Sequence, residues 1–232
     1  MLRFIKFALL KTGFVLLFCF TVYTIQAQQS WDSTYRPEIY YPRVHLFKLL
    51  PASKKDIVFV GDSITFWGDW AEFTGNKKVK NRGIPGDTSF GLLERIADAV
   101  KHKPSAILIM IGINDLARGV PADILLSNYS RMLDTIRQYS PHTKIIIQSI
   151  LPVNEAFGKL SNHYKRAFEI PAINKKLRDL AQAQNIEYLE LYKAFADEDG
   201  RLIRRLSWDG VHLTIEGYYT WYQILKTNKI LG

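Results

Sequence analysis

The stretch Asp56-Ile57-Val58-Phe59-Val60-Gly61-Asp62-Ser63-Ile64-Thr65 decides how the chain is read. Ile57–Val60 is an unbroken apolar run, closed by Gly61. A strand with one wet face alternates polar and apolar residues, whereas a continuous run fits a strand covered on both faces. The pattern recurs. Ala106–Ile111 (AILIMI) is bounded by Gly112, and Lys144–Ile150 (KIIIQSI) by Pro152. Ile186–Leu189 and Val79–Asn81 are weaker runs of the same kind. Helix-period segments lie between them. Phe90–Val100 carries Leu92, Leu93, Ile96, Ala97 and Val100. Pro121 suits a first helical turn, and Ile124, Leu125, Tyr129, Met132, Leu133 and Ile136 continue one face. Ile173, Leu177, Leu180 and Ala181 mark a third helix, and Tyr218, Tyr222 and Leu225 a last one. Strands alternating with helices predict an α/β fold, a mostly parallel sheet with helices on both faces joined by right-handed crossovers. Such a sheet places ligand sites outside the carboxyl ends of its strands. Residues 28–50 are expected as an extended lead-in, residues 51–232 as one domain, and 151–170 as an irregular loop near the strand ends.

The 232 residues begin with MLRFIKFALLKTGFVLLFCFTVYTIQA, in which basic residues precede an apolar run from Gly13 to Tyr23. This reads as an export signal over residues 1–27, with Ala27 as a plausible cleavage point, and the run is short for a bilayer span. The expected mature chain is therefore periplasmic or secreted, without a stable membrane span. Cys19, the one cysteine, falls inside the leader. A processed chain has no disulfide, no cysteine nucleophile and no thiolate metal site. Three of the 31 basic residues, Arg3, Lys6 and Lys11, also fall there, leaving 28 basic against 22 acidic residues and a net charge of +6. The basic residues are scattered, which argues against a nucleic-acid partner. Apolar residues at 47% and charged residues at 23% suit a soluble domain with a sizeable core.

The unusual residues gather where the strands end. Ser63 follows the first strand at the start of a helix, with its hydroxyl at the ligand edge and its amide at the positive end of the helix; taken alone it reads more readily as a helix cap. After the second weak run come Asn81-Arg82-Gly83-Ile84-Pro85-Gly86-Asp87, where Gly83 can expose its amide to a ligand or simply make a tight turn. Gly112-Ile113-Asn114-Asp115 offers a side-chain amide donor, or a turn residue. Near the C-terminus stands Trp208-Asp209-Gly210-Val211-His212-Leu213, in which the Asp209 carboxylate can reach the His212 ring across a glycine turn and fix its tautomer. His102, His142 and His163 lack such a neighbour in sequence.

Together and in this order, the four features resemble the blocks of the GDSL or SGNH hydrolases, esterases and lipases named for a Ser, a Gly, an Asn and a His. Gly61-Asp62-Ser63, Gly83, Gly112-Ile113-Asn114-Asp115 and Asp209–His212 match the blocks across residues 56–226. The runs NRGIPGDTS and DGVHLT resemble the branch related to platelet-activating-factor acetylhydrolase, which includes small secreted bacterial esterases. The resemblance implies a three-layer, flavodoxin-like α/β/α sandwich with about five strands. It implies a serine esterase in which Ser63, His212 and Asp209 are catalytic, with an oxyanion hole from the Ser63 amide, the Gly83 amide and the Asn114 side chain. No metal and no cofactor are expected.

The substrate is less legible. Arg201, Arg204 and Arg205 precede the Asp–His pair and read either as a solvated surface or as contacts to an acidic substrate group. Phe157, His163, Tyr164 and Phe168 wall the site or pack the core. Export together with the resemblance points to a small-molecule or glycan ester, such as an O-acetylated carbohydrate. A lysophospholipid or a thioester is the alternative. A phosphate-binding module is the reading from another class, weakened because neither G-x-G-x-x-G nor a phosphate-loop lysine follows the first strand.

Overall fold

The apolar runs pair into one parallel sheet in a computed structural model that describes residues 31–231. The expected leader, Cys19 included, and residues 28–30 lie outside the described residues. The strands are β1 (Ile57–Gly61), β2 (Val79–Gly83), β3 (Ala106–Met110), β4 (Lys144–Gln148) and β5 (Glu187–Leu189), in the order β2-β1-β3-β4-β5. Every residue of β1 and β3 is buried, which is why those two read as continuous apolar runs. At the sheet edges β2 and β5 are only partly covered, so polar residues interrupt them.

Among the described residues, ten α-helices connect and cover the strands: α1 (Tyr40–Leu49), α2 (Ser63–Phe66), α3 (Trp70–Thr74), α4 (Ser89–Val100), α5 (Ile113–Ala117), α6 (Ala122–Tyr139), α7 (Ser161–Tyr164), α8 (Ile170–Ala183), α9 (Tyr192–Phe195) and α10 (Ile215–Thr227). Among them α4, α6 and α8 pack side by side, while α3 and α10 pack together. Trp70 of α3 stacks on Phe59 of β1 at 4.7 Å and meets Trp221 of α10 edge-on at 4.6 Å. The sheet is thus the middle layer of an α/β/α sandwich, as expected.

The lead-in departs from expectation. Residues 40–49 form α1 rather than an extended segment. Their apolar residues lie all round the helix, so no apolar stripe marks it in the sequence. Tyr40 anchors it instead, buried and donating its hydroxyl to the Gly91 carbonyl at 2.7 Å. Residues 151–170 are likewise more ordered than a loop: α7 lies between short 3₁₀ turns at Glu155–Phe157 and Ala167–Glu169.

The sheet register sets up the site. Gly61 pairs with Gly83 on one side and with Met110 on the other. The carboxyl ends of β1, β2 and β3 are therefore level, and the residues after them emerge at one rim. Strand order reverses between β1 and β3, the switch point where sheets of this kind open a crevice.

Candidate active site

Asp62 caps α2, accepting the Ile64 amide at 2.9 Å. This decides the ambiguity at Ser63: its hydroxyl is not the cap and meets the His212 ring instead, with Oγ 2.8 Å from Nε2. On the far side of the ring, Nδ1 lies 2.6 Å from Asp209 Oδ2. A carboxylate only accepts, so Nδ1 carries a hydrogen, and whenever the ring is neutral Nε2 turns its lone pair toward Ser63. The three side chains come from positions 63, 209 and 212 and converge at the rim.

The Asp209–His212 turn is tightly braced. Asp209 Oδ1 accepts the amides of Val211 (2.9 Å) and His212 (2.8 Å), and Oδ2 also accepts the Trp208 indole N–H at 3.0 Å. Burial works to raise the Asp209 carboxyl, but the bonds from the His212 ring and from these amides outweigh it and hold it below the usual range. Gly210, at φ +87°, makes the reversal possible, and a Cβ there would stand 2.2 Å from the Asn154 carbonyl. From outside, the Asn154 amide donates to the Gly210 carbonyl at 2.8 Å and the Tyr164 hydroxyl to the Asp209 carbonyl at 2.5 Å.

Asn114 enters from α5, just after β3. It is buried, donates Nδ2 to the Asp87 carbonyl at 2.9 Å, and has Oδ1 3.1 Å from His163 Nε2. A cleft of about 440 Å³ opens beside it, lined by Ala117, Arg118, Asn162 and His163 among others. Gly83 reaches the same rim, and a Cβ there would lie 2.4 Å from the Phe66 amide nitrogen. Its own amide, expected to be free, is donated to Asn81 Oδ1 at 2.9 Å. The cause is local: Asn81 sits on the same side of β2 two residues earlier, and its Nδ2 is held by the carbonyls of Thr65, Phe66 and Gly68.

Buried charge underpins the rim. Arg95 of α4 donates Nε and Nη2 to Asp87 Oδ2 (3.0 and 2.8 Å), Nη1 to the Arg82 carbonyl and Nη2 to the Gly61 carbonyl. One guanidinium thus ties together the ends of β1 and β2 and the turn that holds Asn114. Asp115 accepts the amide and hydroxyl of Ser89. Burial pushes the carboxyls of Asp62 and Asp115 up to about 7, against the hydrogen bonds they accept.

Two indoles border the dyad. Trp208 stacks on His212 at 5.9 Å, and Trp67 meets Trp208 edge-on at 6.5 Å; they are 45% and 52% exposed. The three arginines, in contrast, have local partners. Arg201 pairs with Glu155 and Asp199, Arg205 with Glu216, and Arg204 lies over the Phe157 ring. Phe168 is exposed. The sequence reading gave no role to Asn81, Asp87, Arg95, Trp67 or Trp208, and none to His163 beyond a site wall. Asn81 and Asp87 flank the glycine block and Arg95 lies on the helix that follows, but only the fold shows what they hold.

The model of the GDSL-like lipase/acylhydrolase family matches residues 59–219. The chain belongs to that family. It is 25% identical over 169 residues to platelet-activating factor acetylhydrolase IB subunit alpha2 of Rattus norvegicus, covering 70% of this chain and 71% of the relative. It is 25% identical over 148 residues to an acetylxylan esterase of Geobacillus stearothermophilus, covering 61% and 67%. A solved structure from Streptococcus pneumonia, named for platelet activating factor, superposes with a TM-score of 0.74 at 31% identity, covering 84% of this chain and 91% of that one. The protein is a GDSL-type ester hydrolase built on an α/β sheet.

Proposed function

We propose that the protein hydrolyses esters through an acyl-enzyme on Ser63. The observation that carries this is the continuous chain Ser63 Oγ, His212 Nε2, His212 Nδ1, Asp209 Oδ2, with links of 2.8 and 2.6 Å. As Oγ forms its bond to the ester carbonyl carbon, its proton passes to His212 Nε2. Asp209 stabilises the resulting imidazolium without taking the proton. Collapse breaks the bond to the leaving oxygen, and His212 returns the proton to the alcohol. Water then attacks the acyl-enzyme with the same base, releasing the acid and restoring Ser63.

Charge building on the carbonyl oxygen meets the Ser63 amide, at the first position of α2 where no intrahelical partner exists, and the Asn114 carboxamide. Asn114 Nδ2 has two hydrogens, and Asp87 takes one. Gly83 contributes to the extent that its amide is shared with Asn81.

The substrate class we propose is a short-acyl ester on a carbohydrate. The exposed indoles of Trp67 and Trp208 beside the dyad offer flat faces for the apolar side of a sugar ring. The acetylxylan esterase among the relatives supports the same reading. We also propose that residues 1–27 direct export, which N-terminal sequencing of the mature protein tests.

Labelling with a fluorophosphonate and peptide mapping tests the nucleophile: modification is expected on Ser63 and is lost in His212→Ala. Modification elsewhere, or none, overturns the mechanism. A panel of acetylated sugars, longer acyl esters, lysophospholipids and thioesters tests the substrate. Turnover confined to lysophospholipids or thioesters would replace the carbohydrate reading while leaving the machinery intact.

A further inference from the structure

We propose that His163 is a positioning residue for the Asn114 carboxamide, fixing the angle at which its free Nδ2 hydrogen enters the space in front of Ser63. This rests on the oxyanion role proposed for Asn114. The Asp87 carbonyl can only accept, so the Asn114 atom 2.9 Å from it is Nδ2. The other terminal atom, facing His163, is then Oδ1, which also only accepts. His163 Nε2 therefore carries a hydrogen and donates it at 3.1 Å. The carboxamide plane is pinned at both ends, by a carbonyl that takes one Nδ2 hydrogen and an imidazole that holds Oδ1. The second Nδ2 hydrogen has its direction set. Burial, and then the nearby His212, push the His163 ring down in pKa, which favours the neutral donor over a second imidazolium beside the reacting ring.

The element that carries His163 fits such a role. None of the four residues of α7 is buried, so α7 adds little to the core. What it offers is polar contact at both halves of the site. His163 reaches Asn114 behind β3, and one residue on, Tyr164 holds the Asp209 carbonyl. Asn114 and Asp209 are 95 positions apart in sequence, and a single turn of helix sets their spacing.

The test compares His163→Leu, which fills the volume without a donor, with His163→Gln, whose side-chain amide can restore one. Steady-state hydrolysis of p-nitrophenyl acetate is the readout, with thermal melts as the folding check. His163→Leu is expected to lower kcat about tenfold, the share of one positioning hydrogen bond, with KM changed by less than about twofold. His163→Gln should recover most of the loss, and His163→Leu should cost nothing further in an Asn114→Ala background. An unchanged kcat, a rise in KM alone, no rescue by Gln, or additive losses in the double variant would overturn the role of His163. Failure of the underlying reading looks different: Asn114→Ala itself would then leave kcat unchanged.

Discussion

Replacing Arg95 by methionine should cost about 3–5 kcal/mol of folding stability, because it leaves a buried carboxylate without its cation. The side chains of Arg95 and Asp87 are 3% and 0% exposed, so solvent cannot take over the missing charge. Arg95 also donates to the carbonyls of Arg82 and Gly61, which methionine cannot satisfy. Burial already pushes the Asp87 carboxyl up against the pull of Arg95, and without the guanidinium Asp87 should take up a proton rather than remain charged. Since domains of this size are stable by roughly 5–15 kcal/mol, the variant should be markedly weakened yet still foldable. Urea unfolding followed by tryptophan fluorescence reads the change directly, because Trp70 and Trp221 are buried. Arg95→Lys should recover only part of the loss, since a single ammonium nitrogen cannot stand where the three guanidinium nitrogens meet Asp87, Arg82 and Gly61. Adding Asp87→Leu to Arg95→Met should restore part of the stability by removing the buried carboxyl that has lost its partner. A loss below about 1 kcal/mol for Arg95→Met, or a double variant less stable than the single one by the full cost of Asp87→Leu alone, would show that the pair does not hold the rim as argued.

Further expectations follow from the same geometry. Asn114→Ala should lower kcat by about a hundredfold to a thousandfold with little change in KM, measured on p-nitrophenyl acetate. Asp62→Asn keeps an acceptor for the Ile64 amide but removes a carboxyl that burial pushes up to about 7. The folded wild type binds more protons than the unfolded chain between about pH 4 and 7, so this group's stabilisation is lost as pH rises through that window, by at most about 4 kcal/mol. The variant should therefore gain on the wild type between pH 5 and pH 8 in thermal melts; a constant difference would refute the assignment. Esterase activity should survive exhaustive chelation, and a loss restored by added metal would refute the proposed mechanism.

The sequence exposes most strongly those features whose physical cause is local. β1 and β3 announce themselves because burial on both faces demands unbroken apolar runs, and α4, α6 and α8 because each buries one stripe. Where coverage is partial, as in β2, the run is short and the reading weak. Helix α1 is illegible because one tyrosine anchors it rather than a stripe. Ser63, Asn114, Asp209 and His212 stand out because strand ends and a glycine turn mark them. Their supports do not. Arg95 lies among the residues of an ordinary amphipathic helix, and only the crossover that brings α4 back against β1 reveals that it faces Asp87 and two strand ends. His163 is adjacent to nothing reactive until α7 packs on α5.

Gly83 shows how the register constrains the chemistry. Its place beside Gly61 is fixed by strand pairing, yet its amide is taken by Asn81. Asn81 is not free to turn away. Its Nδ2 lies within 3.0 Å of the carbonyls of Thr65, Phe66 and Gly68, which hold the C-terminal end of the short helix that begins at Ser63. Releasing the Gly83 amide by rotating Asn81 would loosen α2 and move Ser63, the proposed nucleophile. On the proposed mechanism, the Gly83 donor can therefore enter the transition state only as a shared bond, which leaves most of the developing charge to the Ser63 amide and Asn114. Asn81→Ala separates the two effects. It frees the Gly83 amide but leaves α2 untethered, so activity should fall, together with about 1–3 kcal/mol of stability. A rise in kcat would mean that a free Gly83 amide outweighs the tether, and that Asn81 restrains the site rather than builds it.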